Sequence, residues 1–257
     1  MRTWFVSLAA AVVAAASSAA ADRTFTVKNN CPWTLWPAIF TSAGTAPSQP
    51  RGWEASAGHS VSFSVAENWN GRIWARTQCT FRGQGLPDDC VTGGCNGGIE
   101  CATVGGTGRP PASLIEVNLN ADVDWYNLSG VDGVNVATSI TNNVGCPSPD
   151  CNNAGQINSN CPAELAVHNP EGVVVGCLSA CAANLDGNQQ NSPNCCSGSY
   201  DRPETCPASG VAYYSLFKDA CPSSYAYAYD EASQSALWTC PKNLRANYVI
   251  TFCPLGY

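Results

Sequence analysis

The sequence predicts a mainly β protein: an antiparallel β-sandwich whose other segments are loops and short helices held by disulfide bonds. Two observations lead to this prediction. Apolar residues alternate with polar ones over several short segments that Gly, Pro and Asn separate. In addition, the 257-residue chain carries 16 cysteines. This even cysteine count is typical of a disulfide framework in a secreted protein.

The first 21 residues have the order of a secretory signal peptide. A short basic start at Met1-Arg2-Thr3 precedes an apolar run over residues 4–15 and small residues at 17–21. We predict cleavage after Ala21 and export to the cell exterior or the cell wall. The apolar run is shorter than the roughly 20 residues that span a bilayer, so we expect no transmembrane segment.

Charge limits the partners of the exported chain. Removal of the leader takes away Arg2, which leaves 11 basic against 19 acidic residues and a net charge of −8. An acidic protein repels nucleic acid and anionic membrane surfaces, so we expect neither as a partner. A neutral ligand, or one that binds local carboxylates, fits this composition better.

Residues 24–27, 60–65, 115–120 and 248–252 show the two-residue alternation most clearly. They predict half-buried strands of an antiparallel sandwich or barrel.

The cysteine-rich middle of the chain differs, because strand alternation fades between residues 146 and 221. Two segments there, 175–185 and 211–220, are predicted to be helical. This region cannot bury much core of its own, so disulfides are expected to hold its loops.

Metal and cofactor chemistry find little support. Zinc sites commonly use histidine, and the chain has only His59 and His168. Neither H-E-x-x-H, G-x-S-x-G nor a phosphate-binding glycine motif occurs. We therefore predict no metal site and no cofactor.

Seven short motifs are distributed along the chain after the leader. They are residues 30–36 (NCPWTLW), 71–79 (GRIWARTQC), 90–95 (CVTGGC), 110–116 (PPASLIE), 131–135 (VDGVN), 221–227 (CPSSYAY) and 248–254 (YVITFCP). With these motifs, and with all 16 cysteines in the family's order, the chain resembles the thaumatin-like family, also called pathogenesis-related family 5.

The resemblance implies a fold and a disulfide pairing that sequence alone leaves open. It implies a sandwich core over about 22–76, 110–152 and 222–257, a small lobe over 77–109 and a disulfide-rich loop domain over 153–221, with a cleft between core and loop domain. The implied pairs are Cys31–Cys253, Cys79–Cys90, Cys95–Cys101, Cys146–Cys240, Cys151–Cys221, Cys161–Cys177, Cys181–Cys195 and Cys196–Cys206.

The family's cleft often carries one arginine and four carboxylates. Here Arg72, Glu116, Asp132 and Asp230 match four of these positions, and Asn127 replaces the fifth. Hydrolysis of a glycoside needs one carboxyl as proton donor and another as nucleophile or base. We expect Glu116 to be the donor and Asp132 the second group. Arg72 would orient a carboxylate, and Asp230 would shape the field or bind sugar hydroxyls.

Each residue taken alone also has a structural interpretation. Glu116 could belong to a solvated strand face, Asp132 could cap a turn, Arg72 could form a structural ion pair, and Asp230 could lie in a solvated turn. The functional interpretation depends on their combination.

Two further positions border the predicted cleft. Asn127-Leu128-Ser129 is the only N-x-S/T sequon in the chain, so Asn127 is a candidate glycosylation site as well as a ligand contact; an inward, unmodified amide is the alternative. One of the adjacent residues Trp125 and Tyr126 must face the cleft if the strand is regular. We favour Tyr126 as the ligand contact.

The resemblance implies a secreted, monomeric protein that binds β-1,3-glucan or another cell-wall polysaccharide. Weak endo-β-1,3-glucanase activity and antifungal or wall-remodelling action would accompany binding. The alternatives are a non-catalytic defence protein that inhibits hydrolases or perturbs membranes, and a wall-associated lectin.

Overall fold

The computed structural model describes residues 22–83, 85–105 and 107–256, and the predicted signal peptide lies outside them. The strands are β1 (Arg23–Asn29), β2 (Trp36–Ala43), β3 (Ser60–Val65), β4 (Asn70–Cys79), β5 (Cys90–Thr92), β6 (Leu114–Asn118), β7 (Val123–Ser129), β8 (Thr138–Asn142), β9 (Asp150–Cys151), β10 (Ala166–His168), β11 (Val174–Cys177), β12 (Leu237–Pro241) and β13 (Tyr248–Phe252). The α-helices are α1 (Ala154–Ser159) and α2 (Tyr214–Ala220).

Two large sheets form the sandwich, which confirms the predicted fold class. The first has the strand order β3-β1-β13-β8-β9, and the second has the order β12-β7-β6-β4-β2 with β5 paired to β4. Strands β10 and β11 form a separate hairpin. Every pair is antiparallel except β1 with β13, which run parallel and bring the two ends of the described chain together.

The core lies between the facing sides of the two sheets. Phe25 and Val27 of β1 point into it, as do Ile115 and Val117 of β6, and each is at most 2% exposed. Their polar neighbours point away because successive strand residues face opposite sides. Burying each such side chain contributes about 1.5–3 kcal/mol.

The helix predicted over 175–185 is wrong, whereas the one predicted over 211–220 contains α2. Residues Val174–Cys177 form strand β11, and turns follow it. The Cys177 backbone exchanges hydrogen bonds of 2.8 Å with Val134, and β-branched valines favour this extended pairing. Helix α1 carried no clear periodic signal in the sequence.

The eight disulfides of the structure have the pairing that the family resemblance implies. Cys31–Cys253 joins the chain just beyond β1 to the chain just beyond β13. Cys146–Cys240 ties the loop after β8 to β12. Cys151–Cys221 ties β9 to the end of α2. The loop-rich segments are therefore anchored to the sandwich by covalent links.

The outer face of the second sheet is covered at one end only. Trp74 and Leu114 pack there against Cys95 and Cys101. Arg76 is buried beside them and donates hydrogen bonds to carbonyl groups, and burial lowers its pKa to about 10. The other end of this face stays open and forms the floor of the candidate site.

No helix of the described residues is long and apolar enough to cross a membrane.

Candidate functional site: an acidic cleft on the outer sheet face

Three of the predicted site residues lie side by side on neighbouring strands. Arg72 of β4 is in register with Glu116 of β6. Glu116 is in turn in register with Asn127 of β7. Directly opposed residues on one sheet face have Cβ atoms about 5 Å apart. The sheet register therefore brings together side chains from three distant stretches of sequence.

Arg72 and Glu116 form an ion pair in this row. The Arg72 Nη2 to Glu116 Oε1 distance is 3.1 Å, and each side chain is about one-third exposed (30% and 33%). A pair this exposed contributes at most about 1 kcal/mol to stability. It orients the two charged groups on the cleft floor rather than stabilising the fold.

The row opens onto a cavity of about 260 Å³, here called the acidic cleft. Its lining includes Arg72, Glu116, Asn127, Trp125 and Leu237. The Oδ1 atom of Asn127 is enclosed and has no hydrogen-bond partner among the described residues. The cleft lining therefore combines one ion pair, the amides of Asn70, Asn118 and Asn127, and one exposed indole.

The expectation that Tyr126 faces the cleft is wrong. Tyr126 is 1% exposed, and its ring lies 5.3 Å from the Tyr248 ring in the core. Its hydroxyl donates a 2.6 Å hydrogen bond to the Pro147 carbonyl. Trp125, 38% exposed, faces the cleft instead. Strand alternation gave the signal, since Trp125 and Asn127 are two residues apart and share a face.

Asp132 lies in a turn beyond the end of β7 and is not among the residues that line the acidic cleft. The Gly133 amide donates a 2.8 Å hydrogen bond to Gly130 O. Gly133 has φ +93°, and a Cβ there would lie 2.3 Å from the Cys177 carbonyl oxygen. Only glycine tolerates both constraints, so Gly133 lets the Asp132 turn pack tightly against β11.

The electrostatic environment of Asp132 differs from that of Glu116. Burial raises the pKa of the Asp132 carboxyl above its usual range; Arg72 opposes this rise and Glu116 adds to it. The charges of Arg72 and Glu116 therefore act on Asp132. The site holds one carboxyl that burial biases toward the protonated form and one carboxylate with a cationic partner.

Tyr225 supports the start of the Asp132 turn, a role that sequence reasoning did not assign. Its backbone joins the end of β7, where it donates to Leu128 O and accepts from the Gly130 amide. Its hydroxyl donates a 2.9 Å hydrogen bond to Glu231 Oε1. Burial, then Glu231, then Glu116 raise its pKa. Tyr225 therefore carries a neutral hydroxyl that is bonded to Glu231, and it is not among the residues that line the acidic cleft.

Asp230 does not offer a free carboxylate to a ligand, contrary to our expectation. It is 1% exposed. Its Oδ2 accepts from Lys218 Nζ at 3.0 Å and from the Ala226 amide at 2.9 Å, and its Oδ1 accepts from the Tyr214 hydroxyl at 2.9 Å. These donors enclose the charge. Asp230 thus joins α2 to the segment carrying Tyr225, and nothing in the sequence spacing pointed to Lys218.

The described residues contain no cluster of three or more His, Cys, Asp or Glu placed to hold a metal ion.

Residues 29–254 match the family model described as the Thaumatin family. The chain is 42% identical over 237 residues to "Pathogenesis-related protein 5" of Arabidopsis thaliana, covering 90% of each chain. It is 40% identical over 241 residues to "Pathogenesis-related thaumatin-like protein 3.5" of Cryptomeria japonica, covering 93% of this chain and 92% of the relative.

Two further similarities concern proteins named for glucan cleavage. A Prunus avium protein named "Glucan endo-1,3-beta-glucosidase" is 37% identical over 260 residues, covering 99% of this chain and all of the relative. The crystal structure of a laminaripentaose-producing beta-1,3-glucanase from Paenibacillus barengoltzii aligns with a TM-score of 0.55 and 12% identity, covering 96% of this chain and 78% of that chain. At this identity the second similarity shows the fold alone.

Proposed function

Since the chain belongs to the thaumatin family, we propose that its acidic cleft binds β-1,3-glucan and hydrolyses it weakly. The observation that carries this proposal is the pair of unequal carboxyls. Asp132 has a pKa raised by burial, while Glu116 is paired with Arg72 at 3.1 Å. Two carboxyls in contrasting environments are what acid–base cleavage of a glycosidic bond requires.

The environments favour a different division of roles from the one the sequence suggested. Asp132 is the better proton donor, because burial favours its neutral form. Glu116 is the better nucleophile or base, because Arg72 holds it in the cleft with a compensating charge. We therefore assign the donor to Asp132 and the second carboxyl to Glu116.

Ligand contacts come from the neutral side chains of the cleft. The exposed indole of Trp125 offers an apolar surface to a sugar ring. Asn127 offers amide hydrogens, since its Oδ1 is enclosed. Asn127 also leaves the cleft with one negative charge fewer than an aspartate would supply, which is why we assign weak rather than efficient turnover.

The relatives support the substrate class. The Prunus avium relative, 37% identical over 99% of this chain, is named as a glucan endo-1,3-beta-glucosidase. We infer that this chain is exported, with residues 1–21 removed. The support for export is the leader's composition together with eight disulfides, which form in oxidising compartments.

The test measures release of reducing ends from soluble β-1,3-glucan by wild type, Asp132→Asn and Glu116→Gln. Asp122→Asn serves as the matched control, because Asp122 is an exposed carboxylate that neither lines the cleft nor affects the Asp132 pKa. We expect both cleft variants to lose at least about 99% of turnover, given the 10²–10⁴-fold effect of a general acid or base, and the control to keep it. Equal rates in all four proteins would refute the assignment.

A further inference from the structure

A second, larger cavity lies at the other end of β4. Its volume is about 610 Å³, against about 260 Å³ for the acidic cleft. It lies between the start of β2, the end of β4 and the β10–β11 hairpin. We call it the neutral pocket and define it by Trp33, Trp36, Gln78, Asn158 and Val173.

The neutral pocket is separate from the acidic cleft. Gln78 in its lining is six residues along β4 from Arg72. At about 3.3 Å per residue, these positions are roughly 20 Å apart. The cavities share no lining residue, so occupancy of one leaves the other free.

The lining contains indole, aliphatic, amide and hydroxyl side chains, and no charged side chain from the described residues. Trp33 is 41% exposed and Val173 is 58% exposed. A lining of this type and a volume between about 300 and 1,000 Å³ are typical of small-molecule sites. Without a countercharge, a charged ligand would lose its hydration uncompensated.

Two amide side chains of the pocket, Asn158 and Gln78, differ in accessibility. Asn158 Nδ2 donates to the Asn135 carbonyl at 3.1 Å, whereas its Oδ1 is enclosed without a hydrogen-bond partner among the described residues. Gln78 is exposed and has φ +50°. Strained backbone of this kind tends to occur at ligand sites. The exposed Gln78 side chain is therefore the amide that is open to a ligand, whereas Asn158 Oδ1 is enclosed.

We propose that the neutral pocket is a second binding site and that it takes an uncharged oligosaccharide. Such a ligand presents apolar ring faces to Trp33 and Trp36 and hydroxyl groups to Gln78. Its hydroxyls can pair with the exposed Gln78 amide, and its neutrality matches the lining. This proposal is independent of glucan binding in the acidic cleft.

The chain provides a matched pair of tryptophans for the test, since Trp33 is 41% and Trp125 is 38% exposed. Calorimetric titration uses hexamers of β-1,3-glucose, β-1,4-glucose, β-1,4-xylose and N-acetylglucosamine as probes. A cleft-disabled variant, Glu116→Ala with Trp125→Ala, should still bind at least one hexamer at a single site. Adding Trp33→Ala should weaken that binding at least about tenfold, as for an aromatic hot spot; Trp33→Phe should restore part of it.

Binding to the neutral pocket should also be insensitive to pH between 4 and 7, because its lining has no group that titrates there. If the cleft-disabled variant binds no hexamer, the proposal is wrong even if wild type binds glucan in the acidic cleft. If it binds a hexamer and Trp33→Ala has no effect, the proposal is also wrong. Trp33-dependent binding of an apolar dye without any hexamer would overturn the saccharide assignment.

Discussion

Replacement of Asp230 by asparagine should destabilise the fold, because the carboxylate belongs to a buried ion pair. Asp230 is 1% exposed and Lys218, whose Nζ lies 3.0 Å from Oδ2, is 12% exposed. Removing one partner of a buried pair costs about 3–5 kcal/mol. The new amide would also direct hydrogens at Lys218 or at the Ala226 N–H, which now donates to Oδ2. Both consequences act on the folded state.

At about 2–4 °C per kcal/mol for a domain of this size, the expected fall in Tm is roughly 6–20 °C. Differential scanning calorimetry at pH 7 under non-reducing conditions measures it. Lys218→Met should destabilise similarly. The double variant should lose less than the sum of the two, with a coupling of about 0.5–3 kcal/mol.

The control is Asp122→Asn, an exposed carboxylate whose replacement should change stability by less than about 0.5 kcal/mol. If Asp230→Asn melts within 2 °C of wild type and still abolishes glucan binding, the structural role is refuted. Asp230 would then be the ligand contact that the family resemblance implied.

Four other predictions follow from the same structure. Burial raises the pKa of Asp132 in the folded protein, so the protonated carboxyl's contribution to stability is complete below pH 3.8 and is lost as pH rises through the raised pKa. Asp132→Asn should therefore raise Tm at pH 7 but not at pH 3. Equal shifts in Tm at both pH values would contradict this. Asn127→Asp should increase glucan turnover several-fold, whereas Asn127→Gln, which also removes the sequon, should not; mass spectrometry of the secreted wild type shows whether a glycan is present. Trp125→Ala should weaken glucan retention about tenfold or more and leave Tm within about 2 °C. Replacing Cys31 and Cys253 by alanine opens a link of sequence separation 222 and should cost about 5 kcal/mol in chemical denaturation; a loss under 2 kcal/mol would show that the other cross-links already restrict the unfolded chain.

The two-residue alternation of apolar and polar residues correctly predicted several of the strands. The segments at 24–27, 60–65 and 248–252 lie in β1, β3 and β13, since a half-buried strand imposes a two-residue period wherever it occurs. The parallel pairing of β1 with β13 is a long-range property that no local pattern encodes. The helix predicted over 175–185 is wrong because a short apolar run is compatible with either a strand or a helix. There, pairing with Val134 decides for the strand.

The candidate site was only partly predictable for a similar reason. Arg72, Glu116 and Asn127 were placed by family resemblance, and the sheet register explains why they meet. The burial of Asp230 and its pairing with Lys218 depend on how α2 packs, which spacing along the chain does not reveal. The raised pKa of Asp132 likewise comes from burial by distant segments. Donor and nucleophile roles could not be separated before that environment was known.

The central claim is that the acidic cleft binds β-1,3-glucan, and retention on insoluble β-1,3-glucan tests it most directly. The measurement is best made in a Trp33→Ala background, so that the neutral pocket does not contribute. In that background we predict that the protein is retained and that adding Glu116→Ala and Trp125→Ala abolishes retention. Equal retention with and without the two cleft substitutions would contradict the claim, as would no retention of either protein.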